Sequence, residues 1–170
     1  YKFVSSKILY KDMHTQRLGE ALLMEGADTA DDLNPLVLDG VTSVILSGGE
    51  GEDTYSITEH TRKKLKKIIV NNYASDKAKD RLELYVKNIN EMVLLRKDDD
   101  LFFNDQEGVV SLRNVFGDDK MDHNHLEVFV NDGTKQITYA VVSLVAQMEN
   151  FQSNPSIIDS SYYLSEFNQN

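Results

Sequence analysis

The chain contains no cysteine, only two prolines, and no apolar run of the roughly 18 residues that a bilayer-spanning helix requires. Without cysteine there are no disulfides, no thiol chemistry and no zinc sites of the Cys type. Positive charge is also scarce: 18 Lys and Arg stand against 28 Asp and Glu, a net charge of −10. That balance repels a phosphate backbone and excludes nucleic acid as the expected partner. It suits cation binding and solubility. No polar low-complexity block is present, and 41% of residues are apolar, enough to bury a core in a chain of 170 residues. Wholesale disorder is therefore not expected. The chain opens at Tyr1 with neither an initiator Met nor a signal peptide, and so reads as a piece of something larger.

What is present falls into three parts: a lead-in at 1–24, a β module over 25–153, and an extended tail at 154–170. In the lead-in, Tyr1 to Val4 can start a strand, whereas Leu18, Ala21 and Leu22 fit one face of a short helix. From Gly26 to Asp53 short apolar triplets alternate with Asp/Gly turns, as in Leu36-Val37-Leu38 before Asp39-Gly40 and Val44-Ile45-Leu46 before Gly48-Gly49. Strands this short do not pair stably alone, so they are read as stacked rungs. Longer strands follow at Lys67–Tyr73, Arg81–Val86, Met92–Leu95, Leu101–Phe103, Val109–Phe116 and Leu126–Val130, with turn signals between them. A helix over 137–152 is expected, because Ile137, Val141, Leu144, Val145, Met148 and Phe151 recur at three- and four-residue steps. Its polar face carries little positive charge, which favours packing on the β layer over membrane insertion. Asn154-Pro155 is the expected stop. The fold class is thus mainly β: short roll- or solenoid-like rungs, a β-rich sandwich-like flank, and one packed C-terminal helix.

One motif is sharp. Gly48-Gly49-Glu50-Gly51-Glu52-Asp53-Thr54-Tyr55-Ser56 matches every fixed position of the nonapeptide G-G-x-G-x-D-x-U-x, where U is a large apolar residue. The glycines allow a tight turn with positive φ, the Asp offers the hard oxygen that calcium prefers, and Tyr55 points inward from the strand that follows. At these residues the sequence resembles the repeat-in-toxin (RTX) family of bacterial proteins. Glu25 to Leu33 and Leu38-Asp39-Gly40 look like decayed copies of the repeat. Asn71 to Ala74 with Asp80 to Leu84 is similar to the segment that closes such arrays, and the β-rich flank continues it. The combination looks like the C-terminal region of large secreted cytotoxins, including the "makes caterpillars floppy" insecticidal type.

The resemblance implies export, folding outside the cell where calcium is plentiful, and neighbouring toxin domains and a target-cell receptor as partners. It also implies a calcium held between loops two nonapeptides apart. On that period Asp31 falls above Gly49, so the expected ligand set is Gly49, Gly51 and Asp53 with Asp31 and Asp32. Downstream, Lys66 and Lys67 stand at the corresponding places and repel a cation, which leaves at most one site. The alternative is a bare rung turn.

Other candidates have plainer readings. His123 and His125 share one strand face, but no third zinc ligand is evident and a solvated turn is preferred. His14 and His60 are isolated. Asp98-Asp99-Asp100 reads as a charged turn, and Arg62 to Lys67 as a solvated basic loop rather than a lipid or glycan patch. No nucleophile elbow, zincin helix, P-loop or dinucleotide fingerprint occurs. The expected function is therefore non-catalytic. A scattered-residue effector or self-processing domain, and a purely architectural capping module, are the alternatives.

Overall fold

The computed structural model describes residues 5–10, 13–72, 77–117, 125–152 and 161–169. Among these the protein is mainly β, built from a nine-stranded and a five-stranded sheet around one hydrophobic core. The chain enters as β1 (Ser5–Tyr10), β2 (Met13–Leu18) and β3 (Ala21–Glu25), an antiparallel meander. The helical reading of Leu18 and Ala21 does not hold. They are opposite one another across a tight turn in which Gly19 has φ +62°, and an i, i+3 spacing serves a two-residue hairpin as well as a helix face. Tyr1 to Val4 lie outside the described residues.

From β3 onward, successive strands alternate between the two sheets. β4 (Asp32–Leu33) starts the second sheet, β5 (Ser43–Ser47) returns to the first, and β6 (Thr54–Ile57) to the second. A short helix, α1 (Glu59–Lys64), leads into β7 (Lys67–Val70) and then β8 (Asp80–Tyr85). β3, β5 and β7 are parallel neighbours in one sheet, and β4, β6 and β8 in the other. The hairpin partners β9 (Val93–Lys97) and β10 (Asp100–Asp105) then widen the first sheet. β11 (Gly108–Leu112) and β12 (Leu126–Asn131) resume the alternation, parallel to β7 and β8. β13 (Gln136–Ala140), α2 (Val141–Phe151) and β14 (Ser161–Tyr163) complete the chain.

The winding explains how strands of two to six residues survive. Each turn of chain sets an apolar side chain directly over its equivalent in the turn before. Leu22, Val44, Ile68 and Val110 form one such row, and Leu33, Tyr55, Leu82 and Val128 form another in the facing sheet; all are buried. Each such side chain contributes about 1.5–3 kcal/mol through burial. In the second sheet polar residues such as Ser56 and Glu83 take the alternate positions, whereas in the first sheet the alternate row is Leu23, Ile45 and Ile69, half-buried. Leu36 to Leu38 form no strand, although Leu36 and Leu38 pack against the core from the return segment.

Two boundaries at the C-terminal end differ from the sequence reading. The helix begins at Val141, not Ile137. Ile137 is an inward residue of β13 opposite Val130, and the strand runs into the helix through Ala140, whose side chain provides no cap. A four-residue spacing across that junction imitates one helix turn. The expected stop at Asn154-Pro155 lies outside the described residues. The tail is not simply extended: β14 pairs with β9, and Leu164 and Phe167 of the following turn are buried. Phe151 packs on the rings of Tyr162 and Phe167, with centroids 5.1 and 5.2 Å away. These aromatic anchors outweigh the polar composition of the segment.

Tyr139 lies on the inner face of β13, where burial raises its phenol above the ordinary value of 10.0. A raised phenol stabilises the fold fully below the unfolded pKa, and that contribution is lost as pH rises through the folded value. Urea melts on either side of about pH 10 should therefore show less alkaline destabilisation for Tyr139→Phe than for the parent. Equal alkaline losses in the two proteins would contradict this role.

Candidate functional site

The Gly-rich motif lies where the chain crosses from the first sheet to the second, between β5 and β6. The same crossing one turn earlier, between β3 and β4, is Gly26-Ala27-Asp28-Thr29-Ala30-Asp31. Both crossings are six residues long and are bracketed by paired strand residues, Glu25 with Ser47 and Asp32 with Thr54. The repeat step here is 22 residues, since Ala21 pairs with Ser43 and Asp32 with Thr54. The sequence reading used 18. The difference arises in the return segment after Leu33, which is longer than a nonapeptide rung needs.

The longer step changes which residues meet. Asp31 lies over Asp53, not over Gly49, while Gly49 lies against the carbonyls of Gly26 and Ala27. Gly49 and Gly51 adopt φ of +76° and +96°, as the motif requires. Gly51 approaches Thr29 so closely that a Cβ would sit 2.5 Å from the Thr29 carbonyl oxygen. Asp32 is not brought to the turn. It is exposed, and its Oδ1 accepts a hydrogen bond from Ser56 Oγ at 3.1 Å, because neighbouring strand residues point to opposite faces.

Asp31 and Asp53 belong to a buried ladder that continues into Asp80. The Asp53 carboxylate accepts the Asp31 N–H at 3.0 Å, and the Asp80 carboxylate accepts the Asp53 N–H at 2.8 Å. The three side chains are 8%, 1% and 1% exposed. The backbone keeps the same register, with the Thr54 N–H donating to Asp31 O and the Arg81 N–H to Asp53 O. Tyr55 points inward as expected. Its hydroxyl accepts the Gly48 N–H at 3.0 Å and donates to Asn72 Oδ1 at 2.7 Å, tying the motif to the next crossing.

Chemically, the stacked turns offer carboxyl oxygens and closely spaced backbone carbonyls, the hard donors that calcium takes. Among the described residues no group of three or more His, Cys, Asp or Glu side chains converges as a metal centre, so backbone oxygens would have to supply much of a shell. Asp80 was missed from the sequence, yet a signal was there. Asp31-x-Leu33, Asp53-x-Tyr55-x-Ile57 and Asp80-x-Leu82-x-Leu84 repeat one pattern of acid followed by alternating apolar residues.

The remaining candidates separate cleanly. His14 and His60 are exposed and lie on different elements, and His123 falls outside the described residues. Asp98 and Asp99 form the β9–β10 turn, with Asp98 at φ +54°, and Asp100 opens β10 and accepts the Asn114 N–H. The basic run is not a uniformly solvated loop. Thr58 caps α1, and Arg62 on that helix is buried against Asp105. No known family model matches the chain, and no curated protein matches its sequence.

Proposed function

We propose that the chain is a non-catalytic, RTX-like module in which calcium stabilises the stacked crossings, as part of a secreted bacterial toxin. The observation that carries the calcium reading is the in-register stacking of two six-residue crossings with Asp31 over Asp53. In this reading the parallel alternation of β3 to β8 is a short β-roll, and β9 to β13 form its sandwich-like flank. The cation lies between the two crossings, taking oxygens from the turn backbone and from the carboxylates. The toxin assignment, with secretion and a target-cell receptor, rests on the resemblance of Gly48 to Ser56 and of the Asp-led segments.

The physical logic is linkage. A ligand that binds only the folded state stabilises it by about 2.7 kcal/mol at a hundred times its Kd. For a domain of this size that raises the melting temperature by roughly 5–10 °C. Calorimetric titration of calcium into chelator-treated protein should therefore show one site and an upward shift of this order. Asp53→Asn keeps an acceptor for the Asp31 N–H while removing the charge, and should abolish both heat and shift. No heat at millimolar calcium would reject the cation and favour an architectural module. A specific contact already points that way: an oxygen of Asp53, and one of Asp80, is used to hold the neighbouring turn.

A further inference from the structure

At the other end of the sheet from the motif, β9, β10 and β14 share an outward groove of about 490 Å³. The register fixes its floor. Tyr163 pairs with Val93 and Val93 with Asn104, so these three stand side by side on one face. Continuing the row through Val109 and Lys67 reaches Ser43 and Ala21, at the starts of β5 and β3. The Gly-Asp crossings follow the ends of those strands. The groove is therefore spatially separate from the proposed cation site and does not depend on it.

Its chemistry is specific. Tyr163 is 55% exposed, although its backbone is fixed by the N–H donated to Glu166 Oε2 at 2.7 Å and by pairing with β9. An aromatic residue on a fixed backbone, with more than half its surface in water, offers a flat apolar ring face to a ligand. Two strand spacings away, about 10 Å, stands the Asn104 amide, with the Val93 side chain between them. Gln106 and Glu91 add a further amide and a carboxylate at the rim. The side chains of Asn104, Gln106 and Glu91 make no hydrogen bond among the described residues. Asp105 forms the back wall, with both oxygens engaged by Arg62.

We infer that this groove binds a neutral saccharide, stacked on Tyr163 over Val93 with its hydroxyls on Asn104, Gln106 and Glu91. A pyranose has one face of C–H groups and a rim of hydroxyls that both donate and accept, which matches an aromatic face beside amides and a carboxylate. The volume suits one or two sugar rings. No Lys or Arg is among the described lining residues, and Glu91 is a carboxylate without a cationic partner among them, so phosphates, sulfates and sialic acids are disfavoured.

The test is saturation-transfer NMR in calcium-containing buffer with methyl galactoside, methyl glucoside, N-acetylglucosamine and lactose. Sialyllactose and inorganic phosphate serve as anionic comparators. At least one neutral sugar should show transfer to its ring C–H protons with a millimolar Kd. Tyr163→Ala should weaken it about tenfold or more, Asn104→Ala several-fold, and Tyr163→Phe, which keeps the ring, should retain it. Thermal melts confirm that the variants remain folded. No transfer from any neutral sugar, binding that survives Tyr163→Ala, or a preference for the anionic probes would overturn the assignment.

Discussion

Arg62→Ala is expected to lower stability by about 3–5 kcal/mol, which at this chain length is a fall of roughly 6–20 °C in melting temperature. Arg62 is 1% exposed and its guanidinium sits where four elements meet. From α1 it holds Asp105 of β10 with both arms, at 2.7 and 3.0 Å. It also donates to the carbonyl of Tyr85, at the end of β8, and to that of Gly108, at the start of β11. Truncation strands the Asp105 carboxylate in a buried setting, with the Glu107 N–H at 2.9 Å as its remaining donor among the described residues. The cost is mainly that of an unpaired buried charge, not the loss of a surface contact. Two further variants separate these effects. Arg62→Lys keeps the charge but not the planar fork, and should be intermediate. Arg62→Met combined with Asp105→Leu removes both charges and should recover most of the lost stability. A single Ala variant within about 0.5 kcal/mol of the parent would show that the pair is energetically idle.

Gly51→Ala should cost on the order of 3 kcal/mol or more, from two separate causes. At φ +96° the backbone is in a region that L side chains rarely adopt, and the added Cβ meets the Thr29 carbonyl oxygen at 2.5 Å. The second cause exists only because one crossing lies on the other. Gly133, in the turn between β12 and β13, provides the control. Its φ is +93°, but a Cβ there meets nothing within 4 Å. Gly133→Ala therefore carries the backbone strain alone, about 1–2 kcal/mol. Urea unfolding of the two variants should differ by the cost of the close approach. Equal losses would mean that the two crossings do not stack this tightly. The comparison requires no calcium and so bears on the fold independently of the cation proposal.

Much of the local structure was legible in the sequence because strand alternation is a property of neighbours. Val44-Ile45-Leu46, Arg81 to Val86 and Leu126 to Val130 each carry their own two-residue period, and the turn residues between them announce where the chain reverses. The inward tyrosine of the motif follows from the same alternation, which also turns Asp32 outward, although the sequence reading counts it among the ligands. The excess of acids and the lack of cysteine excluded whole classes of chemistry before any fold was considered.

Pairing and burial of charge were decided by the tertiary structure. The 22-residue step depends on the length of the return segment after Leu33, and nothing in the nine-residue motif encodes it. That step, and not the motif, places Asp31 on Asp53, and a longer step of 27 residues brings Asp80 onto Asp53. Arg62 reads as one cation among several because its partner lies 43 residues away. Ile137 reads as helical because a strand that runs directly into a helix can preserve a helical spacing across the junction. The sequence by itself determined which residues face inward and where the chain turns, since those follow from adjacent residues. Which rungs stack, which carboxylates become a ladder and which surface becomes a groove were fixed only when distant segments packed together, because those contacts depend on loop lengths and partners that no local window contains.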